Sequence, residues 1–194
     1  MTGTKQRILE EAVRLFARDG YEAVSVGEIA QAVGIRAPSL YKHYTSKRDI
    51  FEHILARMEA QDAENAGECE VPEGTLEAMP EAYAQTGTPE LLTFCRRQFR
   101  YWTQDPFAAA FRRMLTVEQY RTAEMNALYQ QYLGSGPLQY TADLLGDAEA
   151  ALTLYGPMHL LYGVYDAAED KDAVLSMLDA HLAAWQGQYD LGGK

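Results

Sequence analysis

The sequence predicts an all-α fold: a three-helix module at the amino end, then a larger helical body, about nine helices in total. Three observations carry that expectation. Apolar residues recur at helical spacing through nearly all of the 194 residues. Strand-like alternation between turns is missing, and the helix boundaries are marked by capping residues. A chain of this length buries about 70% of its unfolded surface, so a core forms without disulfide or metal.

The elements follow in order. Ile8, Leu9, Ala12, Leu15 and Phe16 form a first apolar stripe, closed by Asp19 and Gly20. Ser25 and Glu28 stand three apart, the spacing of a capping box. They open a second helix that carries Ile29, Ala30 and Val33 and stops at Gly34. Pro38 suits the first turn of a third helix running through Leu40 to Tyr44. Ser46 and Asp49 open a fourth, with Ile50, Phe51, Ile54, Leu55 and Met58 on its apolar side. Residues 66–88 hold three glycines, two prolines and five glutamates, which reads as a loop region with room for one short helix around Leu76–Ala84. Thr88-Pro89-Glu90 restarts order. Helices are then expected at about 89–104, 106–115, 117–133, 147–169 and 171–187, with Gly134–Pro137 as a loop between two of them.

Charge divides the chain. The net value is −11, yet residues 1–60 carry nine Lys/Arg against eight Asp/Glu, and residues 61–194 carry eight against twenty. An acidic body repels a polyanion, so only the near-neutral amino end can face nucleic acid. Three short helices in under 50 residues, with a tight turn at Val33-Gly34-Ile35, describe a helix-turn-helix. Gly34 supplies the reversal, and Ala30, Val33 and Leu40 let the second and third helices pack closely. The third helix then projects toward a major groove.

The run from Arg7-Ile-Leu-Glu-Glu-Ala through Leu15-Phe-Ala-Arg-Asp-Gly-Tyr21, Val24-Ser-Val-Gly-Glu-Ile-Ala30 and Pro38-Ser-Leu-Tyr-Lys-His-Tyr-Thr-Ser-Lys-Arg-Asp-Ile-Phe51 resembles the TetR family of bacterial transcriptional repressors. The match covers about residues 5–55; beyond it only the number and order of helices are similar. The resemblance implies a DNA-binding domain over residues 1–46 and a ligand-binding and dimerisation domain over residues 47–194. It also implies roles. Ser25 would cap the second helix and give its hydroxyl to a phosphate. Arg36, Ala37 and Ser39 would enter the groove at base edges or phosphates. Tyr41 and His43 would meet phosphate or thymine methyl groups, Lys42 a guanine or a phosphate, and Lys47 a phosphate at the next helix N-terminus. Ala37 stands where family members often carry a longer polar residue, which shifts base reading toward Arg36 and Lys42. Taken by themselves, Tyr41 and Tyr44 also fit core aromatics, His43 an ordinary surface residue, and Lys42 and Lys47 solvated charges. Tyr44 fits the core best, as the i, i+4 partner of Leu40.

In the body, Val174, Met177, Leu178, His181, Leu182 and Trp185 form one stripe of the last helix. Gly156, Gly163 and Ala167 give the preceding helix a small-residue seam, and Pro157 is placed to kink it. The resemblance implies that these two helices, about 147–169 and 171–187, pair with their copies in a homodimer. Burial of both faces within one chain is the alternative. Trp102, Phe107, Phe111, Tyr120, Tyr129, Tyr155, His159 and Tyr162 are the candidates for an effector pocket, with Asp166 continuing the stripe of Tyr155, His159 and Tyr162. Each aromatic equally fits ordinary core or dimer packing, and His159 an interior hydrogen-bonded histidine. Arg96, Arg97 and Arg100 spread too widely around a helix to face inward together, so most are expected in solvent.

Catalytic patterns are missing: there is no glycine-rich phosphate loop, no H-E-x-x-H and no nucleophile elbow. No catalytic residue, metal site or cofactor is expected. Cys95 falls on an apolar face and Cys69 in the acidic loop, so neither is placed as a reactive thiol. With no leader-like start and no long apolar run, the sequence predicts a soluble cytoplasmic protein with no membrane partner. Its expected partners are double-stranded operator DNA, a second copy of itself and an unidentified small-molecule effector. The function that follows is a repressor released from a palindromic operator by its ligand. An activator on the same scaffold, and a helical small-molecule binding protein without DNA binding, are the alternatives.

Overall fold

The computed structural model describes residues 3–189, and every regular element among them is helical. Eleven helices follow one another: α1 Thr4–Asp19, α2 Val26–Val33, α3 Ala37–Leu40, α4 Lys47–Glu68, α5 Pro80–Gln85, α6 Thr88–Gln104, α7 Pro106–Glu118, α8 Ala123–Leu133, α9 Ser135–Leu145, α10 Ala148–Ala167 and α11 Lys171–Tyr189. The expectation of about nine falls short by α5 and α9. The sequence leaves room for a short helix where α5 lies. By contrast α9 begins inside the Gly134–Pro137 stretch, whose composition predicts a loop, because a proline in the first turn of a helix removes no internal hydrogen bond. The third helix is shorter than its sequence pattern predicts: regular helix ends at Leu40, and His43 and Tyr44 are held by turn bonds back to the Leu40 carbonyl. A break at residues 119–122 separates α7 from α8, where periodicity predicts one helix over 117–133.

The residues fall into two compact units. The first comprises the chain through Gln61 together with Asp105–Tyr129. Its core is Ile8, Ala12 and Phe16 of α1, Ile29 of α2, Leu40 of α3, Ile50, Phe51, Ile54 and Met58 of α4, and Phe111, Met114 and Leu115 of α7. Helix α7 packs along α1. Buried Glu118, at the end of α7, accepts the Tyr21 N–H at 3.1 Å, fastening the turn after α1.

The second unit comprises Asp62–Gln104 and the chain from Gln130 onward. Leu92, Cys95 and Phe99 of α6 meet Ala151, Leu154 and Met158 of α10 and Leu178 and Leu182 of α11 in its core. Trp185 Nε1 donates to the Ala150 carbonyl at 3.0 Å, fixing α11 on α10. The expected stripe of α11 divides: Val174, Leu178, Leu182 and Trp185 are buried, whereas Met177 is 54% exposed. Burial raises the Cys95 thiol to about 12, so it stays protonated at neutral pH.

Candidate nucleic-acid interface

The amino-terminal module is built by local rules that can be checked bond by bond. Ser25 caps α2: its Oγ accepts the Glu28 N–H at 3.2 Å, while the Glu28 carboxylate accepts the Ser25 N–H at 2.7 Å. Gly34 then ends α2 in the left-handed region, at φ 78° and ψ 30°. The Gly34 N–H donates to Gln31 O at 3.0 Å and the Ile35 N–H to Ala30 O at 2.9 Å. That pair of bonds is a Schellman closure, and it reverses the chain into α3 within three residues. Arg7 donates to Val33 O at 2.8 Å and holds the end of α2 on α1.

This scaffold decides which side chains α3 and its following turn present. Leu40 and Tyr44 point inward; Tyr44 is 1% exposed and its hydroxyl donates to Lys5 O at 3.2 Å. Arg36, Tyr41, Lys42 and His43 are exposed, Tyr41 by 53%. Ala37 and Ser39 are half-buried beside them. Thus Tyr44 is the core aromatic and Tyr41 the accessible one.

Charge pairing sharpens the picture. Four of the nine cations in residues 1–60 lie against carboxylates: Arg14 on Glu11, Arg18 on Asp19, Arg48 on Glu52 and Glu124, and Arg57 on Glu10. Lys5 lies over the Tyr44 ring, and Arg7 is on a carbonyl. Arg36 and Lys42 have no carboxylate partner among the described residues. Pairing therefore leaves unneutralised positive charge at the start of α3 and in the turn after it.

Two candidates carry bonds that the sequence did not signal. The Ser25 hydroxyl donates to Glu28 Oε2 at 2.7 Å, so it must rotate away from that carboxylate to serve a phosphate. Lys47 is half-buried; its Nζ donates to Tyr21 O at 2.7 Å and Glu22 O at 3.2 Å and sits 4.4 Å from the Tyr21 ring centre. One of its three N–H donors is left for a phosphate.

Comparison with known proteins fits this geometry. The pattern of bacterial regulatory proteins, tetR family, matches residues 8–54. Over that stretch the chain is similar to the tetR family. The HTH-type transcriptional regulator AcrR of Shigella flexneri is 40% identical over 68 residues, covering 35% of this chain and 30% of that protein. The biofilm operon icaADBC HTH-type negative transcriptional regulator IcaR of Staphylococcus aureus (strain Newman) is 40% identical over 51 residues, covering 26% of this chain and 27% of its own. The chain thus matches less than a third of the length of these relatives. The fold likeness runs further. A transcriptional regulator from Aquifex aeolicus VF5 superposes with a TM-score of 0.65 at 18% identity, covering 94% of this chain and 99% of that one. Mycobacterium smegmatis AmtR gives 0.61 at 19%, covering 100% and 96%. Both of these relatives are transcriptional regulators.

The eight effector candidates are divided between the two units. Phe107, Phe111, Tyr120 and Tyr129 belong to the first unit; Trp102, Tyr155, His159 and Tyr162 belong to the second. Phe107 and Phe111 are core, with the Arg57 guanidinium 3.8 Å from the Phe107 ring centre. Tyr120 is 87% exposed and Tyr129 half-buried. In the second unit, Tyr162 stacks on Phe99 with ring centres 5.2 Å apart, and the His159 ring lies between Tyr155 and Tyr162. Trp102 is buried against Tyr132, and Tyr155 donates its hydroxyl to Leu133 O at 2.8 Å. Asp166 is half-buried, and its carbonyl accepts from Lys171 at 3.1 Å.

Proposed function

We propose that this protein is a homodimeric repressor that reads a palindromic operator and leaves it on binding a small molecule. Residues 1–46 do the reading, and residues 47–194 bind the effector and the second copy. The observation that carries the reading is the unpaired Arg36 and Lys42 on the exposed side of a helix-turn-helix whose other arginines are tied to carboxylates or carbonyls. In an otherwise acidic chain, that is where a polyanion is attracted rather than repelled. Arg36 and Lys42 supply phosphate and base-edge donors, Ala37 and Tyr41 contacts to thymine methyl groups, and Ser25, Ser39, His43 and Lys47 further polar contacts.

Dimerisation is supported by two neighbouring exposed stripes. Leu152, Leu160, Gly163, Val164 and Ala167 are exposed along α10, and Ala173, Met177, Ala180 and Ala184 along α11. Each stripe has helical periodicity and no charge, and the core of the chain covers neither. Two copies joined there present two recognition segments, and half-sites one helical turn apart, about 34–36 Å, match such a pair.

The test is operator geometry. A mobility shift with DNA from upstream of the gene is expected to give a complex that weakens steeply with salt. Insertion of five base pairs between the half-sites, half a turn, is expected to abolish it. Binding indifferent to that insertion contradicts a fixed dimer. A promoter fusion in a strain lacking the gene distinguishes repression, which predicts higher output, from activation.

A further inference from the structure

The second unit is strongly acidic, but its few cations are not spread over it. Among its described residues they are Arg96, Arg97, Arg100 and Lys171. Lys171 closes α10 by donating to the carbonyls of Tyr165 and Asp166. The other three line a single open groove of about 600 Å³, with Asn65, Glu68 and Tyr101. That volume is of the size that holds small organic ligands. Sequence spacing alone places most of these arginines in solvent; it misses their convergence, because the groove wall comes from the end of α4, some 30 residues earlier in the chain.

Like charges one helical turn apart repel, so the cluster needs neutralising. Arg96 Nε donates to Asp179 Oδ1 at 2.9 Å, and Arg97 is paired with Glu68. Arg100 has no carboxylate partner among the described residues. Three guanidinium groups against two carboxylates leave one positive charge uncompensated. A second observation lies in the same groove. Asn65 is 3% exposed; its Oδ1 accepts from Arg97 at 3.5 Å, but its Nδ2 has no hydrogen-bond partner. A buried donor without an acceptor is destabilising, and an incoming oxygen relieves it.

We propose that this groove binds an organic anion with one carboxylate or phosphate-monoester head, seated on Arg100 and Arg97 with the Asn65 amide donating to it, and that this ligand is the effector. The planar guanidinium fork matches both kinds of head, and one oxyanion balances the residual charge. The body of the ligand lies along Tyr101. The effector role rests on the regulatory reading above; the binding of the anion does not.

The test is calorimetry on the full chain at constant ionic strength with three probes sharing one ring: benzoate, phenyl phosphate and neutral benzamide. Saturable binding of at least one of the two anions at one site per chain, with none of benzamide, is expected, and the tighter anion identifies the head. Arg100→Gln, on an exposed side chain, is expected to keep the helical circular dichroism of the parent and weaken that binding about tenfold or more. No saturable binding of either anion, or affinity unchanged in both Arg100→Gln and Arg97→Gln, overturns the site. Operator release is followed in parallel. Anion binding that leaves the DNA complex intact upholds the site and rejects its effector role.

Discussion

Glu28 and Asp49 show how single side chains hold the amino-terminal module. Both carboxylates are pulled below the ordinary range, Glu28 by the Ser25 N–H and then its hydroxyl, Asp49 by the Thr45 N–H and then its hydroxyl. The bonds are short: 2.7 Å for each to Glu28, and 2.6 Å and 3.0 Å for Asp49. The folded state binds protons on these groups more weakly than the unfolded state does. Their contribution is therefore present above the unfolded values, near pH 4, and is lost as pH falls through the lower folded values. Thermal melts followed by circular dichroism are expected to show stability dropping below about pH 4. Glu28→Gln and Asp49→Asn together are expected to flatten that drop; a slope identical to the parent contradicts the assignment. The Ser25–Glu28 box was legible because both halves lie within four residues, and Tyr44 because Leu40 shares its face. The partners of Lys47 were not, since Tyr21 and Glu22 stand 26 and 25 residues away and no periodicity links them. Nor could the sequence say which arginines meet carboxylates and which are left without one.

Among the elements, two glycines set the turns that the module depends on. Gly34 needs only its positive φ, because a Cβ there meets nothing within 4 Å. Gly20 has φ 88° and ψ 151°, and a Cβ would lie 2.8 Å from Glu118 Oε1. Gly34→Ala is expected to cost about 1–2 kcal/mol from backbone strain. Gly20→Ala is expected to cost more, because a steric term adds to the strain and the carboxylate that receives the Tyr21 N–H is displaced. Urea titration of the two variants checks the order, and a milder effect at Gly20 would refute it. Both turns were legible, since glycine after an apolar helical stripe has a backbone meaning. The start of α9 was not: Gly134, Gly136 and Pro137 have the composition of a loop, and only tertiary packing decides that they begin a helix. The gap between α7 and α8 carries no glycine or proline to announce it. Helix α10 continues past Pro157, although that residue leaves one carbonyl in the preceding turn without its usual donor.

For the whole molecule, the proposed dimer joins two copies through α10 and α11 and so carries two recognition segments. Leu160 is 68% exposed, and a Cβ at Gly156 or Gly163 would meet nothing within 4 Å beyond its own stretch of helix. Gly163→Leu is therefore expected to leave the protomer folded, and even to favour the helix by up to about 1 kcal/mol. The same leucine is expected to obstruct a close helix partner, so sedimentation should shift from dimer to monomer. A dimer unchanged in affinity would place the interface elsewhere. The seam was legible as glycines at helical spacing; that it faces outward was not, since one sequence suits burial within a chain and between chains equally. DNA reading by Arg36 and Lys42 is tested most sharply by the salt dependence of operator binding, measured by fluorescence anisotropy for the parent and for the Arg36→Ala, Lys42→Ala double variant. Each phosphate that the protein no longer neutralises lowers the slope of log affinity against log salt by about one. The parent is expected to show a steep slope. In a dimer that loses both cations twice, the slope is expected to be shallower by about two to four, with weaker affinity at every salt concentration. Parent binding that ignores salt, or a double variant that binds as the parent does, would contradict that role.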